Sequence, residues 1–168
     1  MTTKKLEKRL FGTNGVRGVA GTEMTPALAL EIGLALGTMR PGTVAVGMDT
    51  RTSGPALASA LKSGLLAAGC DVVDCGILPT PALQYIVRAH FDAGAMVTAS
   101  HNPPEYNGVK FFGPDGAKLT DEQEEEIEAL LGDIRRQDVH LLLSKIQKEF
   151  PKLVEEVTPI HLSLAQIH

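Results

Sequence analysis

Aromatic side chains are scarce in this 168-residue chain, at 4% of residues with no tryptophan. A core made without them rests on alanine, leucine, valine and isoleucine, which suits helices layered on a sheet. Cysteine is scarcer still. Cys70 and Cys75 are too few for a disulfide framework and lack the paired spacing of a zinc site, so they read as reduced thiols. Positive charge is not in excess either. A formal net charge of -4 argues against the basic stripe of a nucleic-acid surface. No apolar run approaches the roughly 20 residues that cross a bilayer. The N-terminal "MTTKKLEKRLF" is charged and has no apolar signal segment. These absences lead to the expectation of a cytoplasmic protein with no nucleic-acid or membrane partner.

What is present is an alternation of apolar runs and helical patterns, in a length that suits one domain with a real core. "TVAVGM" (Thr43–Met48) and "AGAMVTA" (Ala93–Ala99) read as buried strands, and the shorter "DVVDC" (Asp71–Cys75) fits between them as a third. Thr25 as N-cap and Pro26 open a helix with Leu28, Ile32, Ala35 and Met39 on one face. Ser53 and Pro55 open a second that ends near Gly69, and Thr80 and Pro81 a third. Strands alternating with helices imply parallel pairing. "NGVKFFG" follows a loop too short for a crossover, so it should run antiparallel. Thr120 and Gln123 form a capping box for a helix through Leu131, and its six acidic residues between Asp121 and Glu128 read as a solvated face.

The expected fold is therefore a three-layer α-β-α domain over residues 1–136. It has a four-stranded mixed sheet, with one strand antiparallel, and an N-terminal β-hairpin. A helical tail, 137–168, follows. There Val139, Leu143, Ile146, Phe150, Leu153 and Val157 make an apolar stripe interrupted by Pro151, where a second short helix should begin. The stripe covers part of the same domain or serves as a seam between two copies.

Three stretches carry chemistry. "FGTNGVRG" places Asn14-Gly15 as a hairpin turn, with Thr13 on one arm and Arg17 just beyond it. The arginine fork matches two phosphate oxygens. "GMDTRTSGP" follows the first core strand, where open α/β sheets place ligands, and Asp49 with Arg51 reads as a loop clasp with Ser53 as helix cap. "TASHNPPEYNGVK" then sets Ser100, His101, Asn102 and Lys110 around one loop, with Asn107-Gly108 reversing the chain. Adjacent Ser and His point to opposite faces of an extended strand, which suits a nucleophile–base relay poorly. A cationic site around a serine suits a phosphoserine better than an acyl-enzyme.

"TASHNPPEYNGVKFF" resembles the active-site serine loop of the α-D-phosphohexomutases, the superfamily of phosphomannomutase, phosphoglucomutase and phosphoglucosamine mutase. "FGTNGVRG", "GMDTRTSG" and "GILPTPAL" match further signatures in the same order, so the likeness covers about Leu10 to Leu131. Met48 stands where the family often has arginine. The resemblance implies an isomerase-class enzyme that interconverts hexose 1- and 6-phosphates through a phosphoserine and a bisphosphorylated sugar. Ser100 would carry the phosphate. His101 and Lys110 would assist proton transfer or stabilise phosphate, and Arg17, Thr13 and Asn102 would lie at the phosphate. It further implies Mg2+, bound partly through the phosphate on Ser100, and a hexose 1,6-bisphosphate activator.

The resemblance is to the family's first domain only. Its Asp-Gly-Asp-type metal loop, its Gly-Glu-x-Ser-Gly sugar loop and the loop that grips the substrate phosphate have no counterpart in this sequence. Residues Asp138–His168 do not look like the start of the family's second domain. Two readings follow: the phosphoserine domain of a mutase, without full turnover by itself, or a non-catalytic domain that binds a phosphosugar or a protein partner.

Overall fold

A computed structural model describes residues 10–12 and 15–149, with side chains through residue 137. Among them, ten elements follow one another: β1 (Phe11–Gly12), β2 (Gly15–Val19), α1 (Pro26–Met39), β3 (Thr43–Met48), α2 (Gly54–Ala67), β4 (Asp71–Ile77), α3 (Thr80–His90), β5 (Ala93–Val97), β6 (Tyr106–Phe112) and α4 (Asp121–Glu149). The strands form one mixed sheet in the order β1-β2-β6-β5-β3-β4. Six strands replace the four expected, because the N-terminal hairpin joins the sheet: β2 pairs antiparallel with β6, Arg17 opposite Gly108. β6 runs antiparallel to β5, and β3 is parallel to both β5 and β4. Among the four strands expected, one, β6, runs antiparallel to the rest, and β1 of the hairpin shares its direction.

Chain direction decides which helix lies on which face. The crossovers β2–α1–β3 and β3–α2–β4 move toward the β4 edge, whereas β4–α3–β5 moves back. Right-handed crossovers then set α1 and α2 on one face and α3 on the other. Packing agrees. Leu83 and Val87 of α3 meet Ala45, Met96 and Phe112 in one core cluster, while α1 packs along α2.

The α1–α2 contact rests on glycine, which apolar periodicity ignores. The buried face of α1 is Ala29, Ile32, Gly33, Ala35, Leu36 and Gly37, with Leu28 and Met39 only half-buried. A Cβ on Gly33 would lie 2.2 Å from the Leu61 carbonyl oxygen, and one on Gly64 would lie 2.1 Å from that of Leu30. Backbones touch here. Gly64→Ala is expected to lower stability by about 1–3 kcal/mol, although alanine favours an isolated helix by about 1 kcal/mol. Urea unfolding checks this; a stability gain would mean that the two helices part freely.

Helix starts follow the sequence in part. The Thr25 hydroxyl accepts from Leu28 N–H at 3.1 Å, as an N-cap should. Thr120 and Gln123 close their capping box, with bonds of 3.0 and 3.4 Å. Thr80 and Pro81 open α3 as expected, but Ser53 makes no side-chain cap bond on α2.

The acidic start of α4 is not simply a solvated face. Glu124 is buried against Lys118, and Glu128 accepts from Phe11 N–H at 2.7 Å, tying α4 to the N-terminal arm. Contacts divide the chain into Met1–Leu131 and Gly132–His168. In the second unit the helix does not stop at Leu131 but continues to Glu149, with Asp133 and Arg136 paired one turn apart. The side chains of the apolar stripe, with the seam between copies read from them, and the helix expected at Pro151 lie outside the described residues. Among the described residues no helix is long and apolar enough to cross a membrane.

Candidate functional site

The C-terminal edge of the parallel strands carries Ser100, His101 and Asn102 on the loop after β5 and Arg51 on the loop after β3. β5 ends at Val97, and the chain leaves it through Thr98 and Ala99 to Ser100. Thr98 is buried. Its hydroxyl donates to Asp49 Oδ2 at 2.7 Å and accepts from Ser100 N–H at 2.9 Å. Ser100 itself is exposed and holds φ 58, the sole non-glycine residue with positive φ among those described. A left-handed serine costs on the order of 1 kcal/mol. Strain of this size persists where neighbours over-determine the backbone, and here they do.

Arg51 is the chief neighbour. Its Nη1 donates to the carbonyls of Pro103 at 2.6 Å and Tyr106 at 2.9 Å. Its Nη2 donates to those of Ser100 at 2.9 Å and Asn102 at 2.7 Å. Nε pairs with Asp49 Oδ2 at 3.2 Å, and Asp49 Oδ1 accepts from Arg51 N–H at 3.1 Å. One side chain therefore closes the serine loop on itself. The Asp49–Arg51 clasp read from the sequence is present, but it reaches across to the loop rather than staying local. Met48 lies in the β3 ladder opposite Val97 and Ile77.

The Asn-Gly pairs behave differently from their turn reading. Asn107 and Gly108 lie inside β6, and the reversal occurs earlier, where Tyr106 N–H meets the Pro103 carbonyl at 3.0 Å. Asn107 is fully buried, and its amide donates to Ser53 Oγ at 2.8 Å, which explains why Ser53 does not cap α2. Gly108 is required by close approach. A Cβ there would lie 2.1 Å from Val16 O and 2.9 Å from Arg17 Cγ. The Arg17 side chain crosses the sheet at that gap. In the hairpin, Gly12 opposes Gly15, so Gly15 belongs to β2. Thr13 lies outside the described residues.

Arg17 and Lys110 make the site electropositive. Arg17 Nη1 reaches Asn102 Oδ1 only at 3.5 Å, and its Nε is buried without a partner. Burial, with the Arg51 charge second, pushes the Arg17 guanidinium below its ordinary proton affinity. Lys110 is lowered too, first by burial and then by Arg17 and Lys118. Cations that destabilise one another at a partly buried edge favour an anion between them. His101 is exposed on the same loop. Among the described residues no hydrogen bond joins Ser100 Oγ to His101, so no hydrolase relay is assembled.

A cavity of about 220 Å³ lined by Ala20, Met24, Pro26, Ser53 and Leu57 opens nearby. It is almost wholly apolar and touches neither Ser100 nor Arg17, so the cationic cluster is the candidate site. No group of three or more His, Cys, Asp or Glu gathers among those described. Both oxygens of Asp49, the nearest clasped acid, are committed to Arg51 and Thr98.

Thr98 and Asn107 escaped the sequence reading. Thr98 sat inside an apolar run, and Asn107 was masked by its glycine, whose pairing mimics a turn.

Residues 8–138 match the family model described as phosphoglucomutase/phosphomannomutase, alpha/beta/alpha domain I. A phosphoglucomutase/phosphomannomutase of Thermococcus kodakarensis is 49% identical over 78% of this chain and 33% of its own length. A protein of Methanopyrus kandleri named a probable phosphoglucosamine mutase is 46% identical over 95% of this chain and 34% of its own, so that likeness continues past Leu131. The chain spans about a third of the length of these curated relatives. A phosphoglucomutase/phosphomannomutase family protein of Burkholderia thailandensis superposes with TM-score 0.67 at 36% identity, over 76% of this chain and 30% of that one.

Proposed function

Since the chain belongs to the phosphoglucomutase/phosphomannomutase family, matching its α/β/α domain I, we propose that Ser100 carries the transferable phosphate of a phosphohexomutase. The reaction is the interconversion of hexose 1- and 6-phosphates through a bisphosphorylated sugar. One observation carries this reading: an exposed, left-handed serine is held by Thr98 and Arg51 beside Arg17, whose buried Nε has no partner. A phosphate on that serine gives the Arg17 guanidinium an anion to pair with.

Phosphoryl transfer asks a protein mainly for position and for neutralised charge. A sugar hydroxyl attacks phosphorus, its new O–P bond forms as the bond to Ser100 Oγ breaks, and the hydroxyl proton ends on Oγ. Lys110 and His101 are the groups at this edge that can carry the proton. Arg17, steadied by Asn102, balances the phosphate, and Thr13 belongs to the same proposal. The bisphosphorylated sugar then turns and returns its other phosphate to Ser100. Magnesium, when bound, would be held on this chain by the phosphate of Ser100 and would supply neutralising charge.

Incubating the purified chain with a hexose 1,6-bisphosphate and weighing it intact tests the reading. One added phosphate is expected on the wild type and none on Ser100→Ala. Phosphate retained by Ser100→Ala would overturn the assignment. A wild type that stays unmodified would favour the domain that only binds a phosphosugar or a partner.

A further inference from the structure

The two edges of the sheet differ. β1 is two residues long, whereas β4 runs for seven, Asp71–Ile77, none of them buried. α3 buries its apolar face on Ala45, Met96 and Phe112, and Cys75 of β4 reaches only the margin of that cluster. Val73, two positions before Cys75, shares its face and stays 41% exposed, while Ile77 is 64% exposed. A long edge strand with bare β-branched side chains is a template for another strand. The backbone shows where one would add. Asp71 N–H donates to the Gly42 carbonyl at 3.0 Å, so Asp71 bonds toward β3. Along a strand the N–H and C=O groups of successive residues point to alternate sides. Val73 therefore also bonds toward β3, and Val72 and Asp74 direct theirs away from the sheet.

We propose that β4 is a docking edge for a second copy of this chain, whose own β4 adds antiparallel about a two-fold axis at Val73. The strand is complementary to itself in that register. Val72 meets the partner's Asp74, and Asp74 the partner's Val72, so the outward groups form two pairs that each exchange both hydrogen bonds. Val73 faces the partner's Val73 across the closely spaced pair between them, where side chains approach nearest. No acid faces an acid. Asp71 falls opposite the partner's Cys75, and Asp74 is already paired with Lys62 of α2. Other registers lose one of these features. An axis at Asp74 sets the two Asp74 side chains against each other, which is unfavourable. An axis at Val72 calls on Cys70, whose N–H is taken by the Leu65 carbonyl. An axis between two residues matches an outward group to an inward one. Such a pairing is isologous and closes at two copies. It needs nothing from Ser100.

Sedimentation of the purified chain at rising concentration should move from the mass of one chain toward that of two. Val72→Pro removes an outward N–H and leaves the β3 ladder intact, since edge strands accept proline on the solvent side. Val73→Lys sets two ammonium groups together at the axis. Each variant should keep the wild-type circular dichroism and sediment as a monomer throughout. Cross-linking reads the register. In a Cys75→Ser background, mild oxidation of Val73→Cys should join two copies, because the Cα atoms of that pair lie about 4.5 Å apart, within disulfide reach. Asp71→Cys in the same background lies several residues from its own copy across the axis and should stay unlinked. A wild type that remains monomeric at every concentration overturns the proposal. So does a dimer that survives both folded edge variants, or equal linking of the two cysteines. A dimer in which Val73→Cys stays unlinked overturns it too, and moves the seam to the stripe after Arg136.

Discussion

Arg51→Ala is expected to lower stability by about 3–5 kcal/mol, the loss typical of removing one partner from a largely buried charged network. The guanidinium reaches four loop carbonyls and Asp49 at once. Its removal leaves those carbonyls without their donor and the Asp49 carboxylate half-compensated. Hydrogen bonds to a charged donor contribute about 1.5–3 kcal/mol each, but they share one side chain and do not add. Arg51→Lys should recover less than half, because a single ammonium with three donors cannot span a planar five-donor fork. Urea unfolding measures the stability, and mass after incubation with a hexose 1,6-bisphosphate reads the serine loop. The loop should lose its left-handed serine and with it the capacity to hold phosphate. An Arg51→Ala change within about 0.5 kcal/mol of wild type, the range of neutral surface substitutions, would show that Thr98 and the prolines hold the loop unaided.

The second expected result is larger and concerns rate. This 168-residue polypeptide by itself should not interconvert hexose phosphates at a detectable rate, even with Ser100 phosphorylated. Arg17 and Lys110 offer positive charge on one side of the phosphate. Among the described residues no acidic cluster can hold a divalent ion, and by the resemblance the sugar-gripping loops belong to parts of a mutase absent from this sequence. A sugar held on one side only is not kept in line with the phosphorus. Lost positioning of that kind forgoes on the order of 7–11 kcal/mol of barrier lowering, many powers of ten in rate, so that one slow transfer to Ser100 can accumulate over a long incubation while repeated two-way transfer falls below detection. A coupled mutase assay with magnesium and a hexose 1,6-bisphosphate measures it. Turnover by the purified chain that disappears in Ser100→Ala would refute this expectation.

Local rules served the elements well where local forces decide. β3 was bounded to the residue, Thr25 and Thr120 cap as their side chains require, and β6 runs antiparallel because its loop is too short to cross over. They served poorly where a residue answers to a distant partner. Ser53 reads as a cap from its neighbours, yet it is drawn to Asn107, 54 positions away. Glu124 and Glu128 read as part of a solvated run, yet they face Lys118 and Phe11.

The site divides along the same line. Sequence by itself determined that an α/β domain would carry Ser100 and His101 on the loop after one core strand, Lys110 on the strand that returns from it, and Arg51 after another core strand. Strand and helix periods, proline restrictions and four ordered motifs are all encoded over short stretches. Only the tertiary structure decided that the hairpin joins the sheet beside β6, which brings Arg17 across Gly108 to Asn102, and that Arg51 closes the serine loop. Sheet order and register come from which faces can be buried together, a property of all the strands at once. A short sequence window holds no record of it.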